Sequence, residues 1–146
     1  MARVKLKFPA ENPLFTATIS VRIGDINYGN HVGNDAILSI IHEARMQMLS
    51  SFGYTEMDAG GNSMIMADVM IAYKGEAFYG DELTVKLYAE EITTHTFDLL
   101  YHISTPRNGV QTDIAHAKTG MACFDYQERK IAAMTAEFRK MLENNQ

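Results

Sequence analysis

Residues 34–53, NDAILSIIHEARMQMLSSFG, decide the fold of this chain. Ala, Leu, Ile and Met predominate, and Gly53 stands where a helix stops, so the stretch predicts a helix from about Asn34 to Phe52. One face of this helix carries an apolar stripe of Ile37, Ile41, Ala44, Met48 and Phe52. Further apolar residues spread around most of the helix surface: Leu38, Ile40, Met46 and Leu49. A helix with this pattern is buried on most of its sides.

The rest of the chain shows the patterns of strands. Residues 15–23, FTATISVRI, alternate strictly between apolar and polar side chains, which is typical of a half-buried strand. Four further strands are predicted after the long helix, at residues 64–74, 83–92, 95–104 and 113–126. Thr135 can cap a short terminal helix that runs through Leu142.

This order of elements predicts one domain over residues 1–146. Consecutive strands joined by short turns form an antiparallel sheet, and the apolar helix needs cover. We therefore expect an α+β fold in which an antiparallel β-sheet wraps around one long central α-helix. A helix that lies flat on one face of the sheet fits the same pattern nearly as well.

Composition excludes several classes of partner. The net charge is −5 and the Lys and Arg residues are scattered, so we expect no nucleic acid. The N-terminal stretch MARVKLKFPAENP lacks the apolar core of a signal peptide, and no run approaches the ~20 apolar residues of a membrane span. We expect a soluble, cytoplasmic protein with no membrane partner.

The chain shows no spacing typical of a metal site. Cys123 is the only cysteine, which excludes an internal disulfide and favours a small buried apolar residue over a nucleophile. Four histidines have no ligand spacing with each other or with that cysteine: His42, His95, His102 and His116. We therefore predict no metal site.

A polar cluster separates the first strand from the helix. It surrounds three glycines and consists of Asp25, Asn27, Asn30, His31, Asn34 and Asp35. Such side chains often bond the local backbone in turns and helix caps, which is sufficient to explain each asparagine singly. The same position also has a chemical use, because the free N–H groups of the first helical turn and of the loop Gly29–Gly33 can stabilise an oxyanion.

The segment RIGDINYGNHVGNDAILSIIHEAR (22–45) and the later AYKGEAFYGDELTV (72–85) resemble the hotdog-fold acyl-CoA thioesterases of the 4-hydroxybenzoyl-CoA thioesterase type. The likeness covers roughly residues 14–128. It implies a helix enclosed by a sheet, and homodimers or homotetramers with active sites between subunits. It also implies hydrolysis of acyl-CoA or acyl-carrier-protein thioesters to free acid and thiol without a metal or an organic cofactor. Coenzyme A is then present only as part of the substrate.

The chain departs from this family at one position. The family's catalytic Asp usually lies four residues before the His of its Gly-His-Val segment, and Asn27 stands there. We predict that Asn27 and His31 lie nearest the chemistry, with Asp25 in support. The amide holds a water or the thioester oxygen, and the imidazole acts as general base. The spacing leaves open whether Asp25, Glu43 or Asp68 supports the reaction.

The residues expected to contact substrate lie in the turn, at the helix start and on the following strand: Tyr28, Gly29, Asn30, Val32, Asn34, Asp68 and Tyr73. Asp68 is flanked by apolar residues in a strand predicted to be buried, so it is either satisfied by backbone donors or part of a site. Glu43 and Arg45 are expected to be a structural ion pair or interface residues. The acyl chain and the oligomeric state cannot be read from the residues.

Two other functions remain open at this stage. The segment GDINYGNH is similar to the motif of the hotdog enoyl-CoA hydratases, in which an Asp and a His, here Asp25 and His31, add water to a double bond. Alternatively, the chain is an acyl-thioester binding subunit without catalysis, in which Asn27 replaces the carboxylate that the reaction needs.

Overall fold

In the computed structural model, which describes residues 2–143, six antiparallel strands form one sheet and two α-helices accompany it. The strands are β1 (Phe15–Ser20), β2 (Ser63–Tyr73), β3 (Glu82–Glu90), β4 (Thr96–Arg107), β5 (Val110–Asp125) and β6 (Lys130–Ile131). The helices are α1 (Asn34–Ser51) and α2 (Ala136–Glu143), and a short 3-10 helix covers Ile23–Asp25. The strand order is β1-β3-β4-β5-β2, with β6 beside β5. Neither described α-helix has the length and apolarity needed to cross a bilayer.

Helix α1 packs against one face of the sheet and fills the core. Ile41, Ala44 and Met48 are fully buried, and they share a cluster with inward-facing strand residues such as Leu87. The prediction of an antiparallel sheet around a central helix is confirmed. The prediction that the helix is buried on most sides is only partly right, because Leu38 is 39% exposed on a flank that this chain alone leaves uncovered.

Strand β1 is shorter than its alternating pattern predicts. It ends at Ser20 instead of Ile23, and the Ile23 side chain is 74% exposed. The cause is local, because the Asp25 carboxylate accepts the Arg22 N–H at 2.9 Å and closes a 3-10 turn. Alternation alone cannot show where such a turn interrupts a strand.

The far end of the sheet is closed by a tight hairpin turn. β4 and β5 continue to a two-residue hairpin turn at Asn108 and Gly109, which both have positive φ, as a type I′ turn requires. β6 was not predicted, since a two-residue strand is too short to show alternation. Thr135 caps α2 as expected, accepting the Phe138 N–H at 3.2 Å.

The prediction that Asp68 lies in a buried strand is wrong. β2 pairs with β5 at the edge of the described sheet, so its middle is open and Asp68 is exposed. A bulge between Met66 and Asp68 turns the carboxylate toward β5, where it accepts the Gly120 N–H at 3.1 Å. A Cβ at residue 120 would displace that carboxylate, so the glycine leaves room for this hydrogen bond.

A chain of hydrogen bonds holds Arg45, the buried charged residue of α1. Arg45 is 5% exposed, and its Nε donates to Glu56 at 2.7 Å. Its other end donates to the Tyr101 hydroxyl at 3.0 Å, which in turn lies 2.8 Å from the Thr119 hydroxyl. The predicted structural ion pair of Arg45 is therefore present, but its partner is Glu56 and not the neighbouring Glu43.

Cys123 is 3% exposed, as predicted for a small buried apolar residue. Burial raises the pKa of its thiol, and the positive charge of Arg139 opposes this only in part. A neutral thiol inside the core is a poor nucleophile.

We expect Tyr101→Phe to lower the free energy of unfolding by about 1–3 kcal/mol, because it leaves a buried Arg45 N–H without its acceptor. Chemical denaturation of both proteins measures the difference. Tyr79→Phe, at an exposed tyrosine, is the matched control and should be neutral. Equal stability of Tyr101→Phe and the parent would show that the hydrogen-bond chain does not support the fold.

The same network predicts a pH dependence. Burial raises the pKa of Glu56, but hydrogen bonds from Arg45 and His42 outweigh it and hold that pKa below its ordinary 4.5. The ion pair therefore stabilises the fold above the unfolded-state pKa, and this contribution is lost as the pH falls through the lower folded-state value. In acid titrations followed by thermal melting, Glu56→Gln should lose less stability than the parent between neutral and acidic pH. Glu11→Gln, at an exposed carboxylate, should behave like the parent.

Candidate active site

The turn before α1 is closed by backbone and side-chain hydrogen bonds. The Asn27 N–H donates to the His31 carbonyl at 2.9 Å, and the Asn30 N–H donates to the Asn27 carbonyl at 3.0 Å. Asn30 adopts φ +67°, a left-handed conformation that asparagine tolerates. The Asn27 side-chain oxygen accepts the Gly29 N–H at 2.8 Å. Both asparagines therefore do the structural work that their residue type predicts.

One ring nitrogen of His31 is fixed by the backbone. Its Nδ1 lies 3.0 Å from the Val32 carbonyl oxygen, which can only accept, so this nitrogen carries the proton. In the neutral ring the lone pair is then on Nε2, the form that can take a proton from water. The side chain is 29% exposed, so solvent and small ligands reach it.

The structure brings Asn27 and His31 together in the turn. A Cβ at Gly29 would lie 3.1 Å from His31 Nε2 and 3.2 Å from the Asn27 side-chain oxygen. A Cβ at Gly33 would lie 3.6 Å from the Asn27 side-chain nitrogen. The amide of Asn27 therefore lies between the two glycines with the imidazole beside it, and the missing side chains leave room for a ligand.

The start of α1 supplies fewer donors than the sequence suggests. The Val32 N–H donates to the Ala77 carbonyl at 2.8 Å and the Gly33 N–H to the Asp25 carbonyl at 3.0 Å, so both are occupied. The N-cap, Gly33, has no side chain to cap the helix. Among the described residues, the N–H groups of Asn34 and Asp35 have no hydrogen-bond acceptor, as expected for the first helical turn.

The three carboxylates considered from the sequence do not pair with His31. Asp25 accepts the Arg22 N–H, Glu43 accepts from the Gln47 amide at 2.9 Å, and Asp68 is bound to β5. Instead, the carboxylate of Glu76 lies 3.5 Å from His31 Nε2. Spacing could not find Glu76, because it belongs to the β2–β3 connection and reaches the histidine only through the fold.

The carboxylate of Asp35, which was not predicted as a site residue, also lies beside Asn27 at the start of α1. Asp35 is in the first turn of α1. If residue 33 had a Cβ, that atom would lie only 2.7 Å from one carboxylate oxygen of Asp35. It therefore points back along the helix toward the amide of Asn27. A negative charge in the first turn is favourable for the helix dipole.

The residues predicted to contact substrate are spread over a wider region. Tyr28 is fully exposed at the tip of the turn, and the Tyr73 hydroxyl donates to the Asn34 carbonyl at 3.1 Å, beside the helix start. Val32 is 6% exposed and belongs to the core. Asp68 lies within β2 and is held by β5.

A groove of about 310 Å³ opens between β1 and α1. Its walls mix apolar and polar side chains and include Ile19, Ser20, Asp25, Ser39, Ile40 and Glu43. Asp25 lies at the end of the groove nearest the turn before α1, because its carbonyl oxygen accepts the N–H of Gly33, the N-cap residue of α1. The groove is therefore continuous with the segment that precedes the helix.

Solved structures provide comparisons with known proteins. A 1,4-dihydroxy-2-naphthoyl-CoA thioesterase from Synechocystis is 25% identical, with a TM-score of 0.79 over 89% of this chain and 96% of that one. The probable thioesterase YbaW of Escherichia coli is also 25% identical, with a TM-score of 0.74 over 89% of this chain and 97% of that one. A thioesterase-superfamily protein from Jannaschia is 15% identical and supports the fold alone, with a TM-score of 0.77 over 90% and 82%. A search of the curated proteins finds no match.

These likenesses confirm the hotdog fold, in which a long helix is packed against an antiparallel sheet. The family model of the thioesterase-like superfamily matches residues 21–142, which include the turn, α1 and every described strand after it. The chain therefore belongs to the thioesterase-like superfamily.

Proposed function

We propose that this protein hydrolyses acyl-CoA thioesters to a free acid and coenzyme A at the turn that precedes α1. The observation that carries the proposal is the placement of His31, whose Nδ1 is held by a carbonyl so that Nε2 is the basic nitrogen beside Asn27. Family membership supports thioester hydrolysis, and the relative from Synechocystis is a thioesterase for a CoA ester.

The first step needs an activated water. Nε2 of His31 takes a proton from water as its oxygen attacks the thioester carbonyl carbon. The Asn27 amide hydrogen-bonds the water or the thioester oxygen, since its own side-chain oxygen is already used by Gly29. Glu76, 3.5 Å from Nε2, stabilises the imidazolium that forms.

The negative oxygen of the tetrahedral intermediate needs donors. The N–H groups of Asn34 and Asp35 are the available ones, with the positive end of the α1 dipole behind them. The intermediate collapses as the carbon–sulfur bond breaks, and the imidazolium returns its proton to the departing thiolate. The Asp35 carboxylate is close enough to this turn to be the alternative base.

The groove between β1 and α1 is the proposed place for the acyl part of the substrate, because it opens from the segment beside the site. An acyl-carrier-protein thioester would present the same reacting group. We further propose a cytoplasmic homo-oligomer, a dimer or tetramer, that covers the exposed flank of α1 and the open edge of β2. The chemistry described uses no metal or organic cofactor.

A binding protein without catalysis is the second candidate. It is favoured by one observation, because the Asn27 amide already has a structural role in the turn. The hydratase alternative is less well supported, since the Asp25 carboxylate binds the Arg22 N–H while His31 is beside Glu76.

We expect His31→Gln to lower kcat/KM for acyl-CoA hydrolysis about 10²–10⁴-fold, the range for loss of a general base. Thiol release from short, medium, long and aromatic acyl-CoAs, followed with a disulfide-exchange dye, gives the rates. Glu76→Gln should cause a smaller loss, because it only removes the charge that supports the imidazolium.

His95→Gln is the matched control for that experiment, since His95 is exposed and outside the cluster. It should leave the rates unchanged. If Asp35→Asn abolishes hydrolysis while His31→Gln retains it, then the base is Asp35 and our assignment of the roles is wrong.

We expect Asn27→Asp to lower activity, because a carboxylate cannot donate a hydrogen bond to the water or the thioester oxygen. The same panel of acyl-CoAs measures it, with bound acyl-CoA followed by calorimetry. An inactive parent that gains hydrolysis on this substitution would instead identify a binding protein. Unchanged rates would show that the amide serves only the turn.

A further inference from the structure

Two histidines and an aspartate meet on the face of the sheet opposite α1. His102 on β4 and His116 on β5 are direct partners in the antiparallel register. The neighbours of His102 along its strand, Tyr101 and Ile103, are fully buried in the core, so the imidazole points to the other face. Asp113 lies between the rings, with one oxygen 2.8 Å from His102 Nε2 and the other 2.9 Å from His116 Nε2.

A bulge in β5 makes this arrangement possible. Residues three apart in a regular strand, such as Asp113 and His116, point to opposite faces. Here Ile103 pairs with Ala115 while Ser104 pairs with Asp113, so Ile114 is an extra residue in β5. The bulge places both side chains on one face, a re-aiming of side chains that is frequent beside functional sites.

The bulge is itself fixed by the start of the β2–β3 connection. The N–H groups of Lys74 and Gly75 both donate to the Ile114 carbonyl, at 2.9 and 3.1 Å. A Cβ at Gly75 would lie 2.7 Å from the Asp113 carbonyl oxygen, so only glycine permits this approach. The position of Asp113 is therefore set by the backbone and not only by its contacts with the histidines.

We propose that His102, Asp113 and His116 bind a divalent transition-metal ion of the zinc type. One ligand atom from each residue lies within 4.8 Å of the others, so small side-chain rotations bring all three to the roughly 2.0–2.2 Å that such an ion requires. The three ligands come from two paired strands, β4 and β5. Histidine spacing along the sequence could not show this site, because the partners are joined by strand register.

The donor set selects the class of ion. Two imidazole nitrogens with one carboxylate suit zinc and other first-row transition metals, whereas Mg²⁺ and Ca²⁺ prefer oxygen ligands.

The surroundings close one side of the site and leave another open. The ring of Phe8 stacks on His102 and meets His116 edge-on, with centroids 5.0 Å apart in both cases. This apolar cover fixes the ring planes. The Asp113 side chain is 46% exposed, which gives the ion an entry path and room for a water as fourth ligand. Lys86, the partner of His102 on β3, is exposed and can extend its ammonium into solvent.

Titration of the tag-free, chelator-treated protein with ZnCl₂ tests the site. At pH 7.5 we expect calorimetry to give one Zn²⁺ per chain and the melting temperature to rise with Zn²⁺. Asp113→Asn and His116→Gln should each weaken the affinity at least about tenfold. His95→Gln should bind like the parent, and MgCl₂ should produce neither heat nor a thermal shift.

A measurement on the parent protein removes any dependence on the folding of variants. Zn²⁺ should shift the ring nitrogen resonances of His102 and His116 in NMR spectra and leave that of His95 in place. The proposal is overturned if the parent binds no Zn²⁺, if Asp113→Asn binds it as tightly, or if these two rings do not respond.

Discussion

Two backbone hydrogen bonds fix the start of α1, and the candidate active site depends on them. The Val32 N–H binds the Ala77 carbonyl in the β2–β3 connection, and the Gly33 N–H binds the Asp25 carbonyl in the segment after β1. The helix is thereby tied at one point to two separate parts of the chain. Glu76 directly precedes Ala77, so the bond between Val32 and Ala77 also places the Glu76 carboxylate beside His31.

Much of the fold could be predicted because its signals are local. The apolar residues of α1 and the alternation of the strands depend on neighbours in sequence, and Asn108–Gly109 carries its turn type in its residue identity. The two wrong predictions, the end of β1 and the burial of Asp68, have a common origin. Both depend on contacts that cannot be deduced from the alternation of apolar and polar residues. A side chain that bonds a nearby N–H ended β1 early, and the edge position of β2 left Asp68 in solvent.

The proximity of Asn27 and His31 could be anticipated from the sequence because they belong to one turn, with three residues between them just before the helix. Glu76 lies 45 positions from His31 in the printed sequence, and only the fold brings it to the ring. His102 and His116 are neighbours for the same kind of reason, because the register of β4 and β5 pairs them and their distance in the sequence does not.

Two glycines, Gly120 in β5 and Gly75 just after β2, each lie close to an aspartate. Neither Gly75 nor Gly120 has a positive φ, so neither is needed for backbone conformation. At Gly75 a Cβ would meet the backbone carbonyl of Asp113, so glycine is needed there. At Gly120 it would meet the side-chain carboxylate of Asp68, which would have to turn away from β5. Gly75 is followed directly by Glu76, so a single short connection sets the position of the aspartate on the outer face and of the carboxylate beside His31. A shift of the β2–β3 connection would therefore move Asp113 on the outer face and the Glu76 carboxylate beside His31 together.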